Sequence, residues 1–234
     1  MPQIRPIDLS TKQKEASYWS ALDLIFRTTS GPAFKSEPTA TIASYIYCHQ
    51  YPYISPSTCF VLEADSGDVV GYILGTSSTA SFASAWRREF PSVLAKLAEY
   101  GVAAPPDYAA EGREAPRFEQ DSAACLLYEA CYKSDEMLNV GIEGLWEKWP
   151  GHFHVDILPA YQRQGWGRKL IGTMLGALRA EGARGVHLGM EAGNEGTENF
   201  YREMGFERYP GSLDGGVSGE MGRMERSLYL VKAL

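Results

Sequence analysis

At 234 residues, 44% of them hydrophobic and 22% charged, the chain can bury a sizeable core and is not of disordered composition. Its 29 acidic against 22 basic residues leave a formal charge of −7, the opposite of what a phosphate-neutralising nucleic-acid binder needs. No apolar run approaches the roughly 20 residues of a membrane span, and "MPQIRPIDLSTKQKEASYW" at the start holds no signal-type apolar segment, so no membrane partner is expected.

Gln3–Ile7 reads as a short strand, and Ser10 or Thr11 can cap a helix that aligns Tyr18, Leu22, Ile25 and Phe26 and ends near Gly31-Pro32. Pro38 to about Gln50 reads as a shorter helix. "TCFVLEA" and "VVGYILGT" flank "DSGD", whose residues favour a tight turn, which predicts a hairpin. From Thr79 to Pro150, "FASAWRREFPSVLAKLAEY" and "SAACLLYEACYKSDEMLNVGIEGLWEKW" are helix-like. They enclose a stretch rich in Ala, Pro and charge, and its Ala103–Pro116 part is expected to be the least ordered interior segment. This predicts a helical insertion, residues 79–150, within a single domain spanning 1–234. Strand "HFHVDIL", a helix from about Gln164 to Ala180, strand "GVHLGM", helix Thr197–Met204 closed by Gly205, a Gly-rich loop and strand "SLYLVKAL" complete a mixed α/β sheet. Cys48, Cys59, Cys125 and Cys131 include no C-x-x-C pair, so zinc spacing is absent and free thiols are expected in a soluble protein, cytoplasmic before nuclear.

The informative departure lies at "QRQGWG", Gln162–Gly167. Leu170, Ile171, Met174, Leu175 and Leu178 behind it form an amphipathic helical face. Glycines at a helix start let backbone N–H groups approach an anion, and the positive dipole end favours phosphate. Arg163, Arg168 and Lys169 concentrate base there in an otherwise acidic chain. A bare G-x-G is weak, but two rivals fail outright. A Walker A loop needs a Gly-Lys pair that the chain lacks. A dinucleotide fingerprint would need its third glycine where Leu170 stands, and a glycine directly after the strand, where Pro159–Gln164 intervene.

Gln162-x-x-Gly165-x-Gly167 after a strand resembles the Q/R-x-x-G-x-G/A acyl-CoA loop of the GCN5-related N-acetyltransferase (GNAT) superfamily. "NEGTENFYREMGF" is similar to a second segment of that family at Asn194, Tyr201, Gly205 and Phe206. More narrowly, the insertion and "HFHVDILPAYQRQGWGRKL" resemble the acetyltransferase-like domain at the C-terminal end of O-GlcNAcases and its free-standing relatives. The resemblance implies the GNAT fold: a mixed, mostly antiparallel central sheet flanked by helices, the insertion preceding the cofactor-binding strand. It implies acetyl-CoA as cosubstrate and no metal. It assigns cofactor contacts to Gln162, Arg163, Gln164, Gly165, Trp166, Gly167, Arg168, Asn194 and Asn199, and to the backbone at Val155 and Ile157. Tyr201 becomes the general acid that protonates the leaving thiolate, although a helix tyrosine of this kind usually packs in a core.

An alkylamine has a pKa of ~10.4, so transfer to it gains from a base or from a setting that lowers that value. Strand alternation places His152, His154, Asp156 and Leu158 on one face and Phe153, Val155 and Ile157 on the other, unless the bulge usual in the family shifts the parity near Asp156. Either this is a solvated face, or Asp156 is the base or ammonium anchor, His154 its relay through water, and His152 part of the substrate wall. Glu191 is a reserve base on the substrate side; His49 and His187 read as structural. The expected function is acetyl transfer to a small-molecule primary amine, an amino sugar such as glucosamine being favoured. The alternatives are a protein lysine (histone-like) acetyltransferase and a non-catalytic acetyl-CoA-binding module. A dead module could have lost Gly165, Gly167 or Tyr201; this chain keeps all three.

Overall fold

The structure is a computed structural model that describes residues 1–105, 131–132, 142, 144–211, 223–224 and 227–234. Strand β1 (Gln3–Pro6) leads into helix α1 (Lys12–Thr29), where the Thr11 hydroxyl accepts from the Lys14 N–H and caps the first turn. Trp19, Leu22, Ile25 and Phe26 are its buried apolar stripe. The helix expected over Pro38 to about Gln50 is α2 (Thr39–Ser44) continued by a widened π-turn (Tyr45–His49), and a further short helix, α3 (Tyr51–Ile54), follows it. Pro52 has no N–H to offer Cys48, so the ladder breaks and restarts there. The predicted hairpin is β2 (Cys59–Glu63) and β3 (Val69–Thr76).

Helix α4 (Thr79–Ala98) buries Phe82, Trp86, Phe90, Val93 and Leu97, so the start of the expected insertion is core. A short α5 (Leu145–Lys148) precedes β4 (Gly151–Ile157). The intervening residues 106–130, 133–141 and 143, with most of the Ala103–Pro116 segment, lie outside the described residues, as do residues 212–222 of the Gly-rich loop. Then come α6 (Trp166–Ala180), β5 (Gly185–Glu191), α7 (Glu195–Glu203), β6 (Glu207–Arg208), β7 (Arg223–Met224) and β8 (Ser227–Ala233). The two-residue strands β6 and β7 carry too little alternation to be read from sequence.

The sheet runs β1-β2-β3-β4-β5-β8-β6, with β7 also on β8. Every pairing is antiparallel except β4 with β5. Against β3, β4 keeps an unbroken register from Thr76↔His152 to Gly71↔Ile157, so the bulge expected near Asp156 is absent there; the sheet's irregularity lies at Leu62/Glu63 instead. Against β5, β4 pairs only at Gly151↔Val186 and His152↔His187, after which the two strands part. One apolar cluster, on the α1, π-turn and α4 side, includes Trp19, Tyr45, Tyr51, Tyr72 and Trp86. The other, on the α6 and α7 side, includes Phe153, Ile157, Leu170, Met174, Tyr201 and Phe206. β4 is thus sandwiched between two packed layers.

Candidate active site

Where β4 leaves β5, the sheet opens a cleft. The Leu158 N–H donates to the Val70 carbonyl (2.9 Å), so Asp156, His154 and His152 also turn their backbone groups towards β3. Val155 and Ile157 therefore turn theirs into the opening, where no strand among the described residues meets them. Gln162 Nε2 donates to the Ile157 carbonyl (2.8 Å), leaving the Ile157 N–H and both Val155 groups on the free edge.

The loop beyond is shaped from within. Gln164 Nε2 donates to the Ala160 carbonyl (2.8 Å), so both glutamine amides brace the turn itself. Arg163 and Gly165 take left-handed backbone, φ 60° and 83°, and Gly165 sits at the N-cap of α6. That is costly for an arginine, and such strain gathers at ligand clamps. The turn points N–H groups outward at the start of a 15-residue helix. A Cβ at Gly167 would meet the Phe200 ring at 3.3 Å. Arg163 has no side-chain partner among the described residues. Arg168 pairs with Glu203 and lies over the Phe200 ring, while Lys169 lies 4.0 Å over the Trp166 ring, so these two bases are partly committed to packing. Asn194 caps α7, its Oδ1 accepting from the Thr197 N–H (3.1 Å), and Asn199 lies on that helix beside Glu195, Glu198, Arg202 and Arg208.

On the other face of β4 the expected parity holds: His152, His154 and Asp156 point into the aromatic layer. Tyr72 donates to Asp156 Oδ2 (2.6 Å). Burial raises the Asp156 carboxyl above the usual range, against the lowering effect of the Tyr72 and Thr29 hydroxyls. The Tyr51 hydroxyl sits between His152 Nε2 (2.7 Å) and His154 Nε2 (3.0 Å). Burial lowers both histidines, His154 to about 4. The Tyr47 ring stands edge-on to His154 at 5.0 Å and is flanked by Phe26 and Phe34. Tyr201, in the opposite layer, packs edge-on against Phe206 (5.5 Å), and burial with the nearby Asp156 charge raises its phenol well above the usual value. Its proton therefore stays on at neutral pH.

The remaining candidate, Glu191, lies exposed at the end of β5, away from these hydrogen bonds. His187, read as structural, is buried with Nδ1 on the Trp149 carbonyl (2.6 Å). His49 is buried too, 3.6 Å from Asp23. Sequence reasoning missed Tyr47, Tyr51, Tyr72 and Thr79. The available signal was the tyrosine density of "YIYCHQYPY", Tyr45–Tyr53, which exceeds what a plain packing helix needs.

Residues 85–206, more than half the chain, match the model of the acetyltransferase (GNAT) family. The chain belongs to that family. Its fold is similar to the crystal structure of SsHAT, at 23% identity over 99% of this chain and 98% of that one, with a TM-score of 0.72. It is also similar to PH1933 of Pyrococcus horikoshii OT3 (14% identity, 100% and 99% covered, TM-score 0.53). A GNAT-family acetyltransferase of Staphylococcus aureus Mu50 matches at 9% identity, 100% and 99% covered, with a TM-score of 0.53. As a GNAT enzyme the chain is an acetyl-CoA-dependent N-acetyltransferase, and an elongated, pyrophosphate-bearing cosubstrate fits what is present. The free edge of β4 offers unmade hydrogen bonds to an amide-bearing arm, and the left-handed turn before α6 offers N–H groups to phosphate. Among the described residues no cluster of His, Cys, Asp and Glu could hold a metal, and no helix is long and apolar enough to cross a membrane.

Proposed function

We propose that this GNAT enzyme acetylates a small primary amine, with an amino sugar such as glucosamine as the favoured acceptor class. One observation carries the reading: a carboxyl, Asp156, is held by Tyr72 in the aromatic layer on the stretch of β4 beyond its last pairing with β5. A cationic amine arriving there gains an anion in a low-dielectric setting, where the pair is worth more than in water. Phe34 and Tyr47, partly exposed and backed by the buried Phe26, offer flat faces on which the C–H face of a sugar ring can pack.

In this reading acetyl-CoA, held along Val155, Ile157, Gln162–Arg168, Asn194 and Asn199, supplies the activated acyl group. Asp156 anchors the ammonium and favours its approach. His154, neutral because burial lowers it, accepts the proton directly or through water. The Val155 N–H is placed to donate to the carbonyl oxygen as charge develops on it. Tyr201, protonated, donates to the departing sulfur. His152 belongs to the wall behind, and α4 helps to form it: Phe82 stacks on Tyr51 (4.5 Å) and meets His152 edge-on at 5.6 Å.

The test is thiol release from acetyl-CoA across amino sugars, arylalkylamines, polyamines and lysine peptides. Saturable release with an amino sugar, giving an N-acetyl product by mass, is the expected result. Release confined to lysine peptides would replace the small-molecule reading. Tight acetyl-CoA binding without release in any arm would point to the non-catalytic module.

A further inference from the structure

Behind the cleft, four side chains from three elements form one hydrogen-bonded line. Thr79 Oγ1 lies 2.8 Å from the Pro150 carbonyl and 2.7 Å from His152 Nδ1. His152 Nε2 lies 2.7 Å from the Tyr51 hydroxyl, which is 3.0 Å from His154 Nε2. Counting hydrogens gives the line a direction. A hydroxyl has one hydrogen. If Thr79 gave its own to His152, two oxygens with only lone pairs would face each other at 2.8 Å, so it goes to Pro150. Thr79 therefore accepts from the His152 Nδ1–H. His152 is buried and held well below the usual histidine value by that burial and by His187 and His154, so it is neutral and its Nε2 carries a lone pair. Tyr51 fills that lone pair with its O–H, and its own oxygen then accepts from the His154 Nε2–H. The remaining ring nitrogen, His154 Nδ1, then has no hydrogen, has no partner among the described residues and is not one of their sealed-off polar atoms.

We propose that Thr79 and Tyr51 are positioning residues that lock His154 as its Nε2–H tautomer, so that Nδ1 is the proton acceptor offered to the amine. This rests on the base role given to His154 above. Thr79 sets the direction, because the line would otherwise run equally well in reverse and protonate Nδ1. It is placed to do so at the first position of α4, its N–H also donating to Pro150 (2.7 Å).

The experiment is long-range 1H–15N correlation on the 15N-histidine-labelled protein, with Thr79→Val, Thr79→Ser and Tyr51→Phe alongside. The wild type and Thr79→Ser should show His154 as Nε2–H. Thr79→Val, isosteric but without the hydroxyl, should show mixed tautomers, and Tyr51→Phe should uncouple His154 from His152. With the best amine, kcat should fall on the order of tenfold in Thr79→Val, within what a general base contributes, and recover in Thr79→Ser at unchanged CoA affinity. A wild-type His154 carrying its hydrogen on Nδ1, a tautomer indifferent to Thr79→Val, or a shifted tautomer with unchanged kcat would each overturn the proposal. The tautomer is read without turnover. A locked His154 in a protein that acetylates no amine would therefore strike down the acetyl-transfer reading and the base role with it, while the hydrogen-bond direction stood.

Discussion

Between Leu158 and Gly167 the enzyme makes its site out of backbone: two left-handed residues, a helix start, and glutamine amides that reach back four and five positions to brace the turn. Across β4 it works with side chains brought from afar. Tyr51 meets His152 and His154 from 101 and 103 positions away, and Tyr72 meets Asp156 from 84. The first kind of site depends on what a residue lacks, a Cβ or an obstruction. The second depends on what it carries, a hydroxyl or a ring nitrogen. Damage should differ accordingly: the loop should fail in binding, the wall in turnover.

The largest effect is expected at the loop. Gly167→Glu places a carboxylate at the anion-attracting start of α6 and a Cβ against Phe200, so CoA affinity should fall on the order of 10²-fold or more. Calorimetry on the folded variant checks this; unchanged affinity would break the backbone half of the comparison. Next comes Tyr201→Phe, which removes a proton and little else. A kcat loss of about 10²-fold with CoA binding intact is expected, whereas a lower melting temperature at normal turnover would leave Tyr201 as packing only.

Asp156→Asn should raise the acceptor's KM by roughly tenfold and flatten the acid limb of the pH–rate profile. The wild-type carboxylate is lost as pH falls through its raised pKa, so that limb should lie above the ~3.9 of a free aspartate. The same shift means that the contribution of Asp156 to folding is full below its unfolded pKa and is lost as pH rises through the folded one. The Asn variant should thus be no less stable at neutral pH, checked by chemical denaturation. The buried histidines act with the opposite sign. His152 and His187 are depressed, His187 to about 4, so their contribution is present above about 6.5 and lost as pH falls from there towards 4. Each should steepen acid unfolding by at most about 1.4 kcal/mol per pH unit, readable from denaturation at pH 7.5, 6 and 5. Smallest of all, Glu191→Gln should change kcat/KM less than about threefold, since that side chain is exposed and takes no part in the wall's hydrogen bonds; a larger loss would restore it as a base.

The same contrast explains what could be read beforehand. The loop, the amphipathic helix behind it and the alternation of His152, His154 and Asp156 are local patterns, and each was legible as residue spacing. Tyr51 was not, because nothing within a few residues of it mentions His154; only the fold brings "YIYCHQYPY" across β4. The helix expected there runs its expected length but widens to a π-turn from Tyr45, and Pro52, with no N–H for Cys48, separates it from α3. The bulge forecast near Asp156 came from family likeness rather than from these residues, and the register with β3 runs straight through. In the sequence Thr79 marks only the start of the expected insertion, and its hydrogen bonds become visible only once Pro150 and His152 lie beside it.

The unpaired length of β4 has a consequence for how the protein avoids itself. A bare strand edge ordinarily invites another chain to add a strand, the usual route to aggregation. Here that edge lies inside the sheet, with β5 on the far side of the opening and β5's other edge already taken by β8 over seven residue pairs. A second sheet cannot lie flat against a wedge closed at one end, whereas a slender extended molecule can slide in. The fork between the strands therefore keeps hydrogen-bonding capacity available for a narrow guest while denying it to another copy of the chain.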